Sequence, residues 1–257
     1  MQHAMNDVEP SDIIKTDYPI QPGMITIIGT GHVFNISETI MFLIKQIWPQ
    51  AVLVELDPRR LQAMESPKDD SSQKTEEVEM PWVYRSAAKY QARMAKKHGT
   101  RTGNELLTAV QTGRLVGAEI GLIDVDTVKL TAEMWDEMSF FERTRYTFSS
   151  IIDGIKGENY ARKMVDDYSA KEDKAMASMR RKYPTVVRKL IDERNDYMAD
   201  QIRQYAEKYD NIVVVVGDFH VEGLTKLLEG KEIRKIRLGD ILNKDSLDKI
   251  KAEVWNR

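Results

Sequence analysis

The sequence contains no cysteine among its 257 residues, which excludes disulfide bonds, a thiol nucleophile and thiolate metal ligands. It also contains no run of about 20 apolar residues, the length that a membrane-spanning helix needs. The 38 basic and 41 acidic residues nearly balance, and the basic residues are spread along the chain. A nucleic-acid partner would require a basic face to neutralise phosphates, so this charge pattern argues against one.

The first 22 residues lack the basic start and the apolar stretch of a secretory signal. We expect them to form a flexible lead-in to a single α/β domain that spans residues 23–257, and we expect the protein to be cytoplasmic. A long helical insertion is predicted over residues 81–208. Its charged helices carry only a modest apolar stripe, and they offer a surface through which the chain can form a homodimer.

Short apolar segments predict the strands of a buried, mainly parallel sheet. They cover residues 24–28, 51–54, 119–124 and 211–216, and an edge strand is predicted at 233–238, where apolar and charged residues alternate. The first helix should begin after Asn35 as its N-cap. Further helices are predicted near 82–97, 104–116, 133–152, 158–181 and 185–208, and another through Leu224 to Gly230. The fold class is therefore α/β with a helical insertion.

Two segments, MITIIGTGHV and IVVVVGDFHV, repeat one layout of strand, glycine, two residues, histidine and valine. Gly29 and Gly217 allow the chain to turn sharply where each strand ends. His32 and His220 then lie at the carboxyl ends of their strands, where open α/β sheets bind ligands. If the two strands are neighbours, the histidines face each other. Glu55, which ends another predicted strand, can join them.

Each of these residues also has a simpler structural interpretation. A histidine after a strand is more often a turn or surface residue than a ligand, and an acid such as Glu55 often caps the next helix. Arg194, on a long predicted helix, is by default solvated or paired in a salt bridge. The repetition favours function, because the sequence has only four histidines. The other two lie in the lead-in and in a turn rich in lysine and glycine.

Two neutral imidazoles and one carboxylate suit a zinc, manganese, cobalt or iron(II) ion. An open coordination position would lower the pKa of bound water and make hydroxide a nucleophile near neutral pH. A nearby arginine would stabilise the oxyanion that develops, and Arg194 is the candidate. Because no serine motif, P-loop or thiol competes, a divalent metal held by His32, Glu55 and His220 is the best-supported chemistry.

Four motifs, in this order, resemble those of the TraB/PrgY/TIKI family over residues 24–238. GTGHV and VELDPRR are similar to the family's opening, and GNELLTAVQTGRLVGAEIGLIDVD is similar to its middle motif. LIDERNDYM is similar to its E-R-(D/N) helix, and VVVVGDFHVEG to its closing G-x-x-H-x-x-G. The matching positions include Gly29, His32, Ser37, Glu55, Arg60, Glu105, Asp124, Asp126, Arg194, Asn195, Gly217 and His220.

The resemblance implies a fold related to those of the erythromycin esterase and ChaN-like proteins. TIKI members are metalloproteases that use the two G-x-x-H histidines and a glutamate with manganese or cobalt, and the PrgY/TraB branch is associated with shutting down peptide pheromones. This chain reads Asp124-Val125-Asp126 where the family usually reads D-R-D. Asp218 and Phe219 stand where small residues are usual, and we expect them to narrow or acidify the pocket.

Three functions follow from these residues. The first is a metal-dependent hydrolase of a peptide or another amide, in which Glu105 or Asp124 orients a histidine unless they serve as a salt-bridge partner and a strand-end cap. The second is a protein that sequesters a peptide or small ligand at the same edge without turnover. The third is a two-histidine, one-carboxylate iron oxygenase, which would need oxygen and a pocket for a cosubstrate.

Overall fold

The computed structural model describes residues 23–31, 34–66, 103–146, 174 and 176–255. The lead-in at 1–22, His32, the predicted helix at 82–97 and most of the predicted helix at 158–181 lie outside these ranges. None of the described helices combines the length and the apolar character needed to cross a membrane.

Five parallel strands form one sheet in the order β3-β2-β4-β1-β5. Each strand lies within two residues of its predicted position, and β5 is an edge strand, as its alternating pattern predicts. The predicted α/β class with a parallel sheet is confirmed. The strands are β1 (Met24–Thr30), β2 (Ala51–Val54), β3 (Glu119–Leu122), β4 (Asn211–Gly217) and β5 (Glu232–Ile236).

The helices connect these strands and cover both faces of the sheet. A π-helical turn, Arg188–Asp192, joins the helices at 184–187 and 193–206, and residues 140–146 and 176–182 are also helical. The predicted helix at 133–152 is interrupted at residues 138–139. The labelled helices are α1 (Ser37–Ile47), α2 (Pro58–Glu65), α3 (Asn104–Leu115), α4 (Thr127–Glu137), α5 (Pro184–Val187), α6 (Glu193–Ala206), α7 (Asp218–Leu227), α8 (Leu238–Leu242) and α9 (Lys244–Trp255).

Two apolar layers form the core, one on each face of the sheet, because successive strand residues point to opposite faces. Ile28 and Val52 lie in the layer that packs against α1, α3, α8 and α9, which we call the α1 face. Ile27 and Leu53 lie in the layer that packs against α6 and α7, which we call the α6 face. Both layers are closed to solvent, and they fix the position of every strand end.

The carboxyl ends of β1 and β4 lie side by side, because the two strands are neighbours, and the helices that follow them lie on opposite faces of the sheet. Thr30 at the end of β1 pairs with Gly217 at the end of β4. On the other side of β4, Val54 pairs with Val215, so Glu55 follows directly at the same edge. Open α/β sheets bind ligands at such a point, where the helices that follow two neighbouring strands lie on opposite faces.

The structure corrects the predicted start of the first helix. The N-cap of α1 is Ile36 and not Asn35, and no side chain caps this helix. The residues before it form a tight turn, in which the Ile36 N–H donates to the carbonyl of Phe34, so the helix begins later than the sequence suggests. Ser37 Oγ instead accepts a hydrogen bond of 2.9 Å from the Asn104 amide, which ties α1 to α3.

The predicted helical insertion stays a prediction. Its span, 81–208, includes β3, which is a strand of the sheet, and α3, which packs against the sheet. Residues 67–102 and 147–173 lie outside the described residues. Homodimerisation through the long helices likewise stays a prediction.

Candidate functional site

Arg194 lies at the centre of a buried polar cluster at the carboxyl end of the sheet. Its Nε donates to Asp124 Oδ1 (2.9 Å) and its Nη2 to Asp124 Oδ2 (2.7 Å), the two-point geometry in which arginine binds a carboxylate most strongly. Nη2 also donates to Glu55 Oε1. Because Glu55 follows β2 and Asp124 follows β3, one side chain from α6 joins two neighbouring strand ends. All three residues are buried.

All five N–H groups of Arg194 are used in this cluster: one from Nε and two from each of Nη1 and Nη2. Besides the bonds to Asp124 and Glu55, Nη1 donates to the carbonyl oxygen of Leu190 (3.2 Å) and to Nε2 of His220 (3.2 Å). A guanidinium has five donors and no acceptor. While these contacts persist, Arg194 therefore has no N–H left for a substrate oxygen.

His220 is held in one tautomer by its two neighbours on α6. Its Nε2 must accept from Arg194, because arginine can only donate, and so the ring proton is on Nδ1. Nδ1–H donates to Asn195 Oδ1 at 2.7 Å. Nε2 lies 3.5 Å from Glu55 Oε1, and the ring is 3% exposed. The cluster therefore presents an unprotonated imidazole nitrogen beside a carboxylate oxygen.

Two glycines of the GDFHVEG segment make these contacts possible. The backbone N–H of Gly217 donates to Glu55 Oε2 at 2.5 Å, which fixes the second carboxylate oxygen. Gly223, on α7, lies directly against the side chain of Asn195, and a Cβ at this position would overlap Asn195 Nδ2. The contact between Asn195 and His220 therefore depends on the absence of a side chain at residue 223.

The charges in the cluster stabilise each other. Burial alone would raise the pKa of Glu55, but the guanidinium of Arg194 and the Gly217 N–H oppose it and hold this pKa well below its usual range. Burial likewise disfavours the charged form of Arg194, yet Glu55 and Asp124 raise its pKa. The site consequently contains a buried carboxylate that stays ionised at neutral pH.

The structure also shows the positions of three further residues from the predicted motifs. Asp126 caps α4 by accepting from the N–H groups of Val128 and Lys129. Arg60 Nη1 lies 3.5 Å from Asp124 Oδ2. Glu105 is buried in the first turn of α3, which packs on the α1 face. His32 lies outside the described residues.

Asp218 has a different role from the one that the sequence suggests. Its carboxylate accepts from Nε and Nη2 of Arg237 (3.0 and 2.8 Å) and from the N–H of Leu238 (2.8 Å), so Arg237 neutralises it. A Cβ at Gly29 would overlap Oδ1 of Asp218, so the missing side chain there lets the acid pack against β1. This pair fixes the first turn of α7, which carries His220. No sequence pattern singles out Arg237.

A comparison of the chain with models of protein families identifies its family. The model of the TraB/PrgY/gumN family matches residues 20–237. The chain belongs to this family. It is similar to an uncharacterized protein of Methanocaldococcus jannaschii, with 26% identity over 233 residues. The match covers 88% of this chain and 57% of the relative, so the chain spans little more than half the length of that relative.

In this TraB/PrgY/gumN family member, Glu55 and His220 present donor atoms that suit a divalent metal. Two ligands about 2.1 Å from a tetrahedral ion are about 3.4 Å apart, close to the separation of Glu55 Oε1 and His220 Nε2. The bond from Nδ1 to Asn195 is the outer contact that metal-binding histidines usually make. Within the described residues, no three histidines or acids are arranged to hold a metal. The third predicted ligand, His32, lies outside them.

Proposed function

We propose that this member of the TraB/PrgY/gumN family is a metal-dependent hydrolase of peptide or other amide bonds. Its metal ligands are His32, Glu55 and His220, and the ion is manganese, cobalt or zinc. The observation that carries the proposal is the buried pair of Glu55 and His220. Asn195 holds the histidine so that its unprotonated Nε2 lies 3.5 Å from an ionised carboxylate.

The residues of the chain prepare the site for this chemistry. A bound divalent ion would supply a hydroxide nucleophile near neutral pH and polarise the carbonyl of the substrate. Asn195 orients the imidazole, while Gly217 and Arg194 keep Glu55 ionised and fixed. Burial under α6 and α7 excludes water, which strengthens every electrostatic interaction at the reacting atoms.

A second function, sequestering of a peptide or small ligand without turnover, uses the same edge of the sheet, at the carboxyl ends of β1 and β4. The observation that favours it is the full use of the N–H groups of Arg194, which leaves no donor for an oxyanion in this arrangement. This function requires that the protein binds the peptide or small ligand saturably, and that this binding persists when divalent metals are removed.

Hydrolysis of a mixed peptide library in the presence of Mn²⁺, Co²⁺ or Zn²⁺ separates the two functions. We expect the wild type to cleave with at least one of these ions. The substitution Glu55→Gln should lower kcat/KM by about 100-fold or more, because it removes a negatively charged ligand. Cleavage is followed by mass spectrometry, and circular dichroism checks that the variant is folded.

The matched control is Glu65→Gln, which removes an acid from a partly exposed surface ion pair with Arg114 and should change kcat/KM by less than about twofold. Equal cleavage by wild type and Glu55→Gln would contradict the proposal. Saturable peptide binding without cleavage, unchanged by a chelator, would establish the sequestering function instead.

A further inference from the structure

Arg194 uses two acceptor atoms that the proposed metal would also need. Its Nη1 donates to Nε2 of His220, and its Nη2 donates to Oε1 of Glu55. An imidazole nitrogen has a single lone pair in the plane of the ring. That lone pair accepts a hydrogen bond or binds a metal ion, but it does not do both.

We propose that Arg194 competes with the divalent ion for Nε2 of His220 and Oε1 of Glu55, and that its displacement from these two atoms provides the N–H donors that bind the reacting oxygen. This inference rests on the proposed function, because it takes the metal to bind these two atoms. Arg194 then has two successive roles. It first balances the charge of the buried carboxylates, and after its displacement it donates hydrogen bonds to the oxyanion.

The remaining contacts of Arg194 keep it beside the site after displacement. Its Nε and Nη2 bind the two oxygens of Asp124, and Nη1 also donates to the carbonyl of Leu190. These three bonds hold the plane of the guanidinium against the end of β3. Two N–H groups, one on each terminal nitrogen, are thereby released while the side chain stays beside the site.

The displacement of Arg194 by the metal also explains how this residue can act in catalysis although all five of its N–H groups are bonded. With five N–H groups already bonded, Arg194 cannot stabilise an oxyanion. Once Nε2 and Oε1 have another partner, the two released groups lie next to the reacting atoms, where preorganised donors have their largest effect. The catalytic donor is therefore present only when the metal site is filled.

Titration calorimetry with Zn²⁺, after removal of bound metal, tests the competition. We expect Arg194→Leu to bind Zn²⁺ about tenfold or more tightly than wild type, since the competing hydrogen bonds to both ligand atoms are gone. Arg194→Lys keeps a positive charge but cannot reproduce the fork of contacts, so it should also bind more tightly than wild type. It serves as the second variant if Arg194→Leu does not fold.

The matched control is Arg60→Leu, which removes an equal charge 3.5 Å from Asp124 and leaves the contacts of His220 and Glu55 described above in place. This variant measures how the loss of one positive charge alone affects the affinity for Zn²⁺. We expect the affinity to change by less than about threefold. An independent readout in the wild type is the solvent exchange of the Arg194 N–H signals in nitrogen-15 spectra. Exchange should become faster when Zn²⁺ binds.

Each outcome decides a separate point. If wild type binds Zn²⁺ and folded Arg194 variants bind it equally or more weakly, the competition does not exist, although the metal site does. If the Arg194 variants bind Zn²⁺ and wild type does not, Arg194 excludes the ion from these two atoms, so both the displacement and the proposed function fail. If neither wild type nor the variants bind Zn²⁺, Mn²⁺ or Co²⁺, the proposed function fails and the inference fails with it.

Discussion

Replacing Arg194 by leucine should lower the free energy of unfolding by about 3–5 kcal/mol, the usual cost of removing one partner from a buried ion pair. The substitution leaves Glu55 and Asp124 as neighbouring buried carboxylates without the guanidinium that both of them bind. Urea denaturation at pH 7, followed by circular dichroism, measures this difference. A decrease below about 1 kcal/mol would show that the cluster contributes no more than a surface ion pair.

The pH dependence of this difference tests the contribution of Glu55 to it. The pKa of Glu55 in the folded protein is held below its unfolded value of about 4.5, so its ionisation stabilises the fold above that value. This contribution is lost as the pH falls through the folded pKa. The gap between wild type and Arg194→Leu should therefore narrow below pH 4.5. Arg203→Leu, on an exposed part of α6, is the matched control and should cost less than about 1 kcal/mol at any pH.

Replacing Gly223 by alanine should weaken the affinity for a divalent metal by about 10–100-fold, the usual effect of disturbing the outer contact of a metal-binding histidine. The added methyl group would overlap Asn195 Nδ2, so the amide must move away from Nδ1 of His220. Calorimetry measures the affinity. Nitrogen-15 spectra of the imidazole report whether the proton remains on Nδ1.

A double-mutant cycle with Asn195→Ala separates this mechanism from a general disturbance of α7. When Asn195 is already alanine, the overlap no longer exists, so Gly223→Ala should cause little further loss of affinity. Additive losses from the two substitutions would show that Gly223 acts on the site by another route.

The strands and the main members of the cluster could be predicted because each depends on short segments of sequence. Apolar runs such as 211–216 can be buried on both faces only in the centre of a parallel sheet. The repeated strand–glycine–histidine layout places His220 at a strand end, and the sheet order then brings Glu55 to the same edge. Arg194 also lies in the cluster, as the sequence analysis expected.

The details that the sequence did not reveal depend on tertiary contacts between distant residues. Arg237 and Asp218 are 19 residues apart, and no sequence motif links the two positions. The full use of the N–H groups of Arg194 becomes visible only when Asp124, Glu55 and His220 are placed around it. Asn35 failed as an N-cap because the turn before α1 extends the loop by one residue.

Metal content tests the central claim most directly. Wild type and the His32→Ala/His220→Ala double mutant are purified without chelators or a histidine tag, and their metals are measured by mass spectrometry before and after reconstitution with Mn²⁺, Co²⁺ and Zn²⁺. We predict about one equivalent of a transition metal in the wild type and essentially none in the double mutant. Equal metal in both proteins, or none in the wild type after reconstitution, would contradict a metal site at His32, Glu55 and His220.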